Sequence, residues 1–343
     1  MWYYKIVIDA IISFSPTPPG RAKDREKAKS KMRDKTIILL ATIISLAMAS
    51  IPQHVSAMRV ETNYPADTNL QVPVINYHRF LPDRYETSTG MKRRLSDFRA
   101  DLQKLYDAGY TLISIDDLVD GNIHVPAGRR PLVLTIDDAF FADQLWLDET
   151  GVPSDQCGIG VLYRFYQEHP NFGFQVAMFA NFGDKYYGNV YRNGWWYVGD
   201  GWQEALAQAI VWGIEHGVIP YNHLYIHPRL DMTEYQTIQS EEYSNDAALR
   251  DLLARAGRAD LIDQVNNYIA LPYGLWPADQ AGIDKLLGYT DPEGRAVKAV
   301  FEAGYEYMPE YAEPYAADFD PYHIPRLAGI DAAIESIVEL AKN

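Results

Sequence analysis

Cysteine is nearly missing: the 343 residues contain one, Cys157. A single thiol excludes an internal disulfide and any cysteine-based zinc cluster. Positive charge is scarce too, with 31 Lys and Arg against 46 Asp and Glu, a formal net charge of −15 and a pI near 4.9. Nucleic-acid phosphates need a basic surface, so nucleic acid is excluded as a partner. The chain has no internal repeat and no long low-complexity segment. The apolar run at 36–49 falls short of the roughly 20 residues that a membrane span requires.

Apolar residues are plentiful, at 48%, enough for a full core. The 25 Tyr and 7 Trp supply rings that either stack on sugar faces or fill that core. Residues 32–57 have a basic start (Lys31, Arg33, Lys35), the apolar run, and small residues at Ala47, Ala49 and Ala57. This is the layout of an export signal, with a buried helix as the alternative. Residues 1–31, with Pro-Thr-Pro-Pro-Gly and a Lys/Arg-rich run, are unusual in front of a signal. They are expected to be a non-native or cytoplasmic extension, with Met32 as the true start. The expected location is secreted or periplasmic, in the cell envelope. If the signal stays uncleaved, the apolar segment anchors the protein to the membrane. Residues 58–70 read as a polar linker, and 71–343 as one folded domain.

Within that domain, apolar runs alternate with helical patterns. Strands are expected at 72–77, 110–115, 131–136, 174–179, 218–222 and 268–271. Helices are expected at 96–108, 161–168, 202–216, 246–256, 261–266, 278–287, 294–303 and 331–341. The alternation implies an α/β fold with a mainly parallel sheet. About seven such units close naturally into a distorted (β/α) barrel, whose active site lies at the C-terminal strand ends. Residues 181–201, rich in Gly, Asn and aromatics, lack a helical period. They read as a loop or hairpin, either a substrate platform or an aromatic cover on the barrel.

Two motifs reach that rim. Asp137 and Asp138 close the apolar strand at 131–136, where unpartnered charge is expensive. One carboxylate there suits a cation and the other a proton, although an Asp pair also caps helices. His223 and His227 follow the strand at 218–222. Spacing of i and i+4 puts them on one face of a helical turn, as two nitrogen ligands of one ion require. Two His and one carboxylate leave positions open for water and substrate.

In order along the chain, VPVINYHRF, LSDFRADLQKLYDAGYTLISIDDL, LTIDDAF, GIEHGVIPYNHLYIHPRL, ALPYG and HIPRL together resemble the polysaccharide deacetylases. These carry a NodB-type domain (carbohydrate esterase family 4). The resemblance is to the secreted branch acting on poly-N-acetylglucosamine-like polymers, and it runs from about Val72 to Ile330. It implies a hydrolase of linear amides with a divalent metal, usually zinc, held by Asp138, His223 and His227. Asp137 is then the base that takes a proton from water. Pro272 and Tyr273 meet the substrate, the Tyr273 backbone N–H facing the oxyanion. His78 is the implied general acid and His323 its rival.

The sequence also departs from the family pattern. Ile136 replaces Phe and Ala139 replaces Gly. Leu224 stands where many relatives have Ser or Thr, and Ala270 where the wider family has an Arg that steadies the base. Arg326 is expected to reach Asp137 in its place, because an Arg fork fixes a carboxylate. Two other functions share these residues: an O-acetyl esterase of the xylan type, and a non-catalytic carbohydrate-binding protein on the same fold.

Overall fold

The apolar run after Arg130 becomes the longest strand of a parallel sheet and is buried along almost its whole length. Strands covered on both faces read as continuous Val, Ile and Leu rather than as alternation, and Leu132, Val133, Leu134 and Ile136 follow that pattern. The computed structural model describes residues 61–63, 69–85, 87–89, 91–184, 197, 199–303 and 309–342. The expected extension and the export signal lie outside them, as does most of the aromatic segment at 181–201.

In chain order the strands are β1 (Glu61–Asn63), β2 (Val74–Tyr77), β3 (Arg79–Leu81), β4 (Lys92–Arg94), β5 (Tyr110–Leu112) and β6 (His124–Pro126). They continue with β7 (Arg130–Ala139), β8 (Val176–Ala180), β9 (Val218–Asn222), β10 (Tyr268–Ala270), β11 (Ala299–Phe301) and β12 (Leu327–Ala328). The main sheet runs β11-β10-β9-β8-β7-β2-β12, with β5 paired to β7. Every pairing in it is parallel. The stretch 324–328, which contains β12, links β2 back to β11. Ile324 bridges Phe301 of β11, and Leu327 pairs with Ile75 of β2. The sheet curls into a distorted (β/α) barrel of seven strands, as the alternation predicts.

Helices cover the outside. Leu95–Asp107 buries Phe98, Leu102 and Leu105 at helical spacing. Trp202–His216 ends at Gly217, whose φ of 90° is the left-handed conformation that favours glycine. A Cβ there would lie 2.8 Å from the Phe174 carbonyl, so the turn into β9 is closed to larger residues. Among the described residues, no helix is long and apolar enough to cross a membrane.

Three expectations change. Residues 294–303 do not form a helix; Ala299–Phe301 is a buried strand beside β10. Val297, Val300 and Phe301 satisfy helical spacing and a buried strand equally, and pairing with the β10 edge decides between them. The helix expected from 246 begins much earlier and spans Tyr235–Arg255. Within the segment expected to be a linker, Glu61–Asn63 pairs antiparallel with His124–Pro126.

Candidate active site

Adjacent residues of a regular strand point to opposite faces, yet Asp137 and Asp138 serve one place. Between Ile136↔Met178 and Ala139↔Ala180 the pairing of β7 with β8 shifts register. One extra residue on β7 makes a bulge, a device that re-aims side chains. Asp138 takes a φ of 54°, which Asp tolerates better than most residues. Both carboxylates then face His223: its Nε2 lies 3.8 Å from Asp137 Oδ2 and 4.0 Å from Asp138 Oδ1. Asn181 Nδ2, at the end of β8, donates to Asp138 Oδ1 at 3.2 Å.

The two histidines are not on a helical turn. Leu224 and His227 both have a φ of 57°, so the chain leaves β9 in an irregular loop. Asn222 Oδ1 accepts the Leu224 N–H and Glu241 Oε2 accepts the Ile226 N–H, each at 2.9 Å. Leu224 itself is buried among Leu230, Ile238, Ile269 and Leu271, an apolar anchor for the loop. The loop still brings the rings together, with centroids 4.8 Å apart. His223 Nδ1 lies 2.8 Å from the Ala270 carbonyl. A carbonyl only accepts, so Nδ1 carries the proton and Nε2 offers its lone pair to the site. Burial, partly offset by Asp137, lowers the His223 pKa to about 4, which keeps the ring neutral.

Asp138, His223 and His227 each present one donor atom, all within 4.8 Å of one another. His227 Nε2 is 3.5 Å from Asp138 Oδ1. Zinc-to-ligand bonds of about 2.0–2.2 Å need donors within roughly 4 Å of each other, so the spacing fits one divalent cation with little movement. Charge fits as well. Two carboxylates face one guanidinium, and a cation balances the remaining negative charge.

Asp137 is buried, and burial alone would push its carboxyl up. The Arg326 guanidinium outweighs this and holds it well below the usual carboxylate range. Arg326 Nη1 donates to Oδ1 at 2.6 Å and Nη2 to Oδ2 at 2.8 Å. Its Nε donates to the Glu302 carbonyl at 2.7 Å, so the fork is fixed at its root. Asn76 Nδ2 adds a third bond to Asp137, at 3.0 Å. Arg326 thus lies directly opposite Asp137.

His78 follows the C-terminal end of β2. Its imidazole pKa is lowered chiefly by burial, and the charges of Asp137 and Asp138 nearby oppose that shift. His323 is engaged elsewhere. Its Nδ1 lies 2.9 Å from Glu302 Oε1, and its ring tilts against Trp276. Tyr273, with a φ of 57°, is exposed and sets its ring edge against His227, centroids 4.5 Å apart. Pro272 beneath it is buried.

Three residues of the site were not singled out in the sequence: Asn76, Asn181 and Gln144. Gln144 Nε2 donates to the carbonyls of His78 and Asp137 at 2.6 and 2.8 Å. Each is a polar residue in or beside an apolar buried run, and that mismatch is the signal that could have found them.

No family model matches the chain, and no curated protein does. Solved structures do. IcaB from Ammonifex degensii is 17% identical with a TM-score of 0.52, over 80% of this chain and 97% of that one. The deacetylase PplD of Streptococcus pyogenes, solved in complex with acetate, is 13% identical with a TM-score of 0.51, over 79% and 97%. The chain has the polysaccharide-deacetylase fold. Both matches span nearly the whole of the solved chain, so what this barrel shares with the polysaccharide deacetylases is the complete domain and not a fragment of it.

Proposed function

We propose that this protein is a metal-dependent deacetylase acting on an N-acetylglucosamine-containing polysaccharide. One observation carries the proposal: a two-His, one-Asp donor set stands beside a second, Arg-clamped carboxylate at the C-terminal strand ends of the barrel. Asp138, His223 and His227 hold the ion, and two imidazoles with one carboxylate form a donor set that suits zinc. When bound, such an ion acidifies water and polarises a carbonyl. Asp137 accepts the proton of the attacking water. Arg326 and Asn76 keep its carboxylate ionised and oriented. His78 delivers a proton to the leaving amine, and the backbone N–H of Tyr273 faces the developing oxyanion. The exposed ring of Tyr273 offers a face to the sugar. The basic–apolar–small pattern of residues 32–57 supports export to the cell envelope, where such polymers lie.

The test is acetate release from N-acetylglucosamine oligomers and from O-acetylated xylan, alongside metal content by mass spectrometry. Bound zinc with acetate from the N-acetyl substrates alone is the expected result. Acetate from xylan alone makes the protein an O-acetyl esterase. Sugar binding with neither metal nor acetate makes it a non-catalytic carbohydrate-binding protein.

A further inference from the structure

Gln144 lies outside every motif considered above, is fully buried, and uses both ends of its amide. Its Nε2 donates to the His78 carbonyl at 2.6 Å and to the Asp137 carbonyl at 2.8 Å. Its Oε1 accepts the Phe141 N–H at 2.8 Å. β2 and β7 are paired up to Tyr77↔Ile136. At the next residues the ladder ends: β7 bulges and β2 gives way to His78. The two carbonyls bridged by Gln144 are the first pair beyond the ladder. The amide therefore takes over from the sheet where the backbones part, and each of those backbones carries a side chain of the site.

A second brace lies beside it. Asp143 accepts Arg79 Nε at 3.0 Å and Arg79 Nη2 at 2.7 Å, and the Phe80 N–H at 2.8 Å. The chain on the far side of His78 is thus tied to the residue preceding Gln144. His78 is held from both sides by one short segment, 143–144.

We propose that Gln144 is a positioning residue that sets the separation of the proton donor His78 from the base Asp137. The proposal rests on the roles given to His78 and Asp137 above. Gln144 touches neither substrate nor metal. Its two N–H bonds lock two backbones whose side chains act on opposite ends of the scissile bond. Misplacement of a reacting group by about 1 Å costs roughly a hundredfold in rate.

The test is Gln144→Met, which keeps volume and removes both donors. Gln144→Glu is the second variant, keeping shape and the acceptor for Phe141. Two readouts are used on the full-length protein with its metal. In the first, nitrogen-15 resonances of the His78 ring are assigned by their loss in His78→Ala. They are expected to shift or broaden in both Gln144 variants while metal content stays at the wild-type level. The second compares an N-acetylglucosamine oligomer with an aryl acetate, whose leaving group needs no proton. kcat on the oligomer is expected to fall roughly thirtyfold to a hundredfold with KM within about twofold, and aryl acetate turnover to fall less than about threefold. A merely structural glutamine would lower both rates together. Unchanged His78 resonances in a folded variant overturn the proposal, and so does a parallel loss on the two substrates. Should wild-type protein release no acetate at all, the functional assignment falls, and the ring resonances still decide whether Gln144 positions His78.

Discussion

Replacing Arg326 by methionine tests the centre of the site most directly. The guanidinium is wholly buried and makes two bonds to Asp137, at 2.6 and 2.8 Å. Methionine fills most of the volume but leaves a buried carboxylate with Asn76 as its remaining donor. Removing one partner of a buried ion pair costs about 3–5 kcal/mol, because the other charge stays behind. At roughly 2–4 °C per kcal/mol for a domain of this size, Tm should fall by roughly 6–20 °C. Urea unfolding followed by tryptophan fluorescence reads this loss, with chelator present so that no cation offsets the orphaned charge. The double variant Arg326→Met, Asp137→Asn removes both charges and should recover most of the loss, giving a coupling of about 3 kcal/mol. Metal content should stay at the wild-type level in every variant, since Asp138, His223 and His227 are untouched, while acetate release falls by about a hundredfold or more. A single variant within about 1 kcal/mol of wild type would refute the clamp. So would a double variant no more stable than Arg326→Met.

Three further outcomes follow from the geometry. Asp137→Asn should keep its metal and lose turnover, whereas His223→Ala should lose both; metal analysis beside an acetate assay separates them, and a fully active Asp137→Asn removes Asp137 from the role of base. Asp246 has its carboxyl pushed up to about 6, chiefly by burial, against hydrogen bonds from Tyr289 and Asn222. Its neutral form fits the fold better, so its contribution is greatest below the unfolded value near 3.9 and is lost as pH rises through about 6, a change of about 3 kcal/mol. Urea midpoints at pH 4.5 and 7.5 should differ less in Asp246→Asn than in wild type, and an unchanged difference counts against this. Burial pushes the Cys157 thiol up to about 12, so a maleimide should label it only after denaturation, and rapid labelling of native protein contradicts the placement.

The barrel was legible because its strands are apolar on both faces and its helices are punctuated. Trp202–His216 and Val218–Asn222 stand at their expected bounds, since Gly217 marks the join unambiguously. The first half of Tyr235–Arg255 was not legible. Glu242 and Asn245 occupy buried positions there and break the apolar period. Asn245 is spent on the Ala180 carbonyl and the Phe182 N–H, which only the folded chain reveals. The pairing of His223 with His227 was visible as a spacing, but the helical turn inferred from it was not the means. Positive φ at Leu224 and His227 gives no sign in residue type, because neither is glycine or asparagine. Asn76, Gln144 and Asn181 interrupt apolar runs, and what they do depends on neighbours elsewhere in the sequence.

Asp137 and Arg326 are separated by 189 positions, and the same stretch that brings Arg326 also bridges β11 to β2. Closure of the ring and neutralisation of Asp137 therefore depend on one segment. Until that last segment docks, the carboxylate at the end of β7 has a strong reason to stay in water, which opposes premature burial of the barrel mouth. A chain halted before Arg326 contains Asp138, His223 and His227 but lacks the guanidinium that neutralises Asp137. The site is thus completed only together with the topology itself.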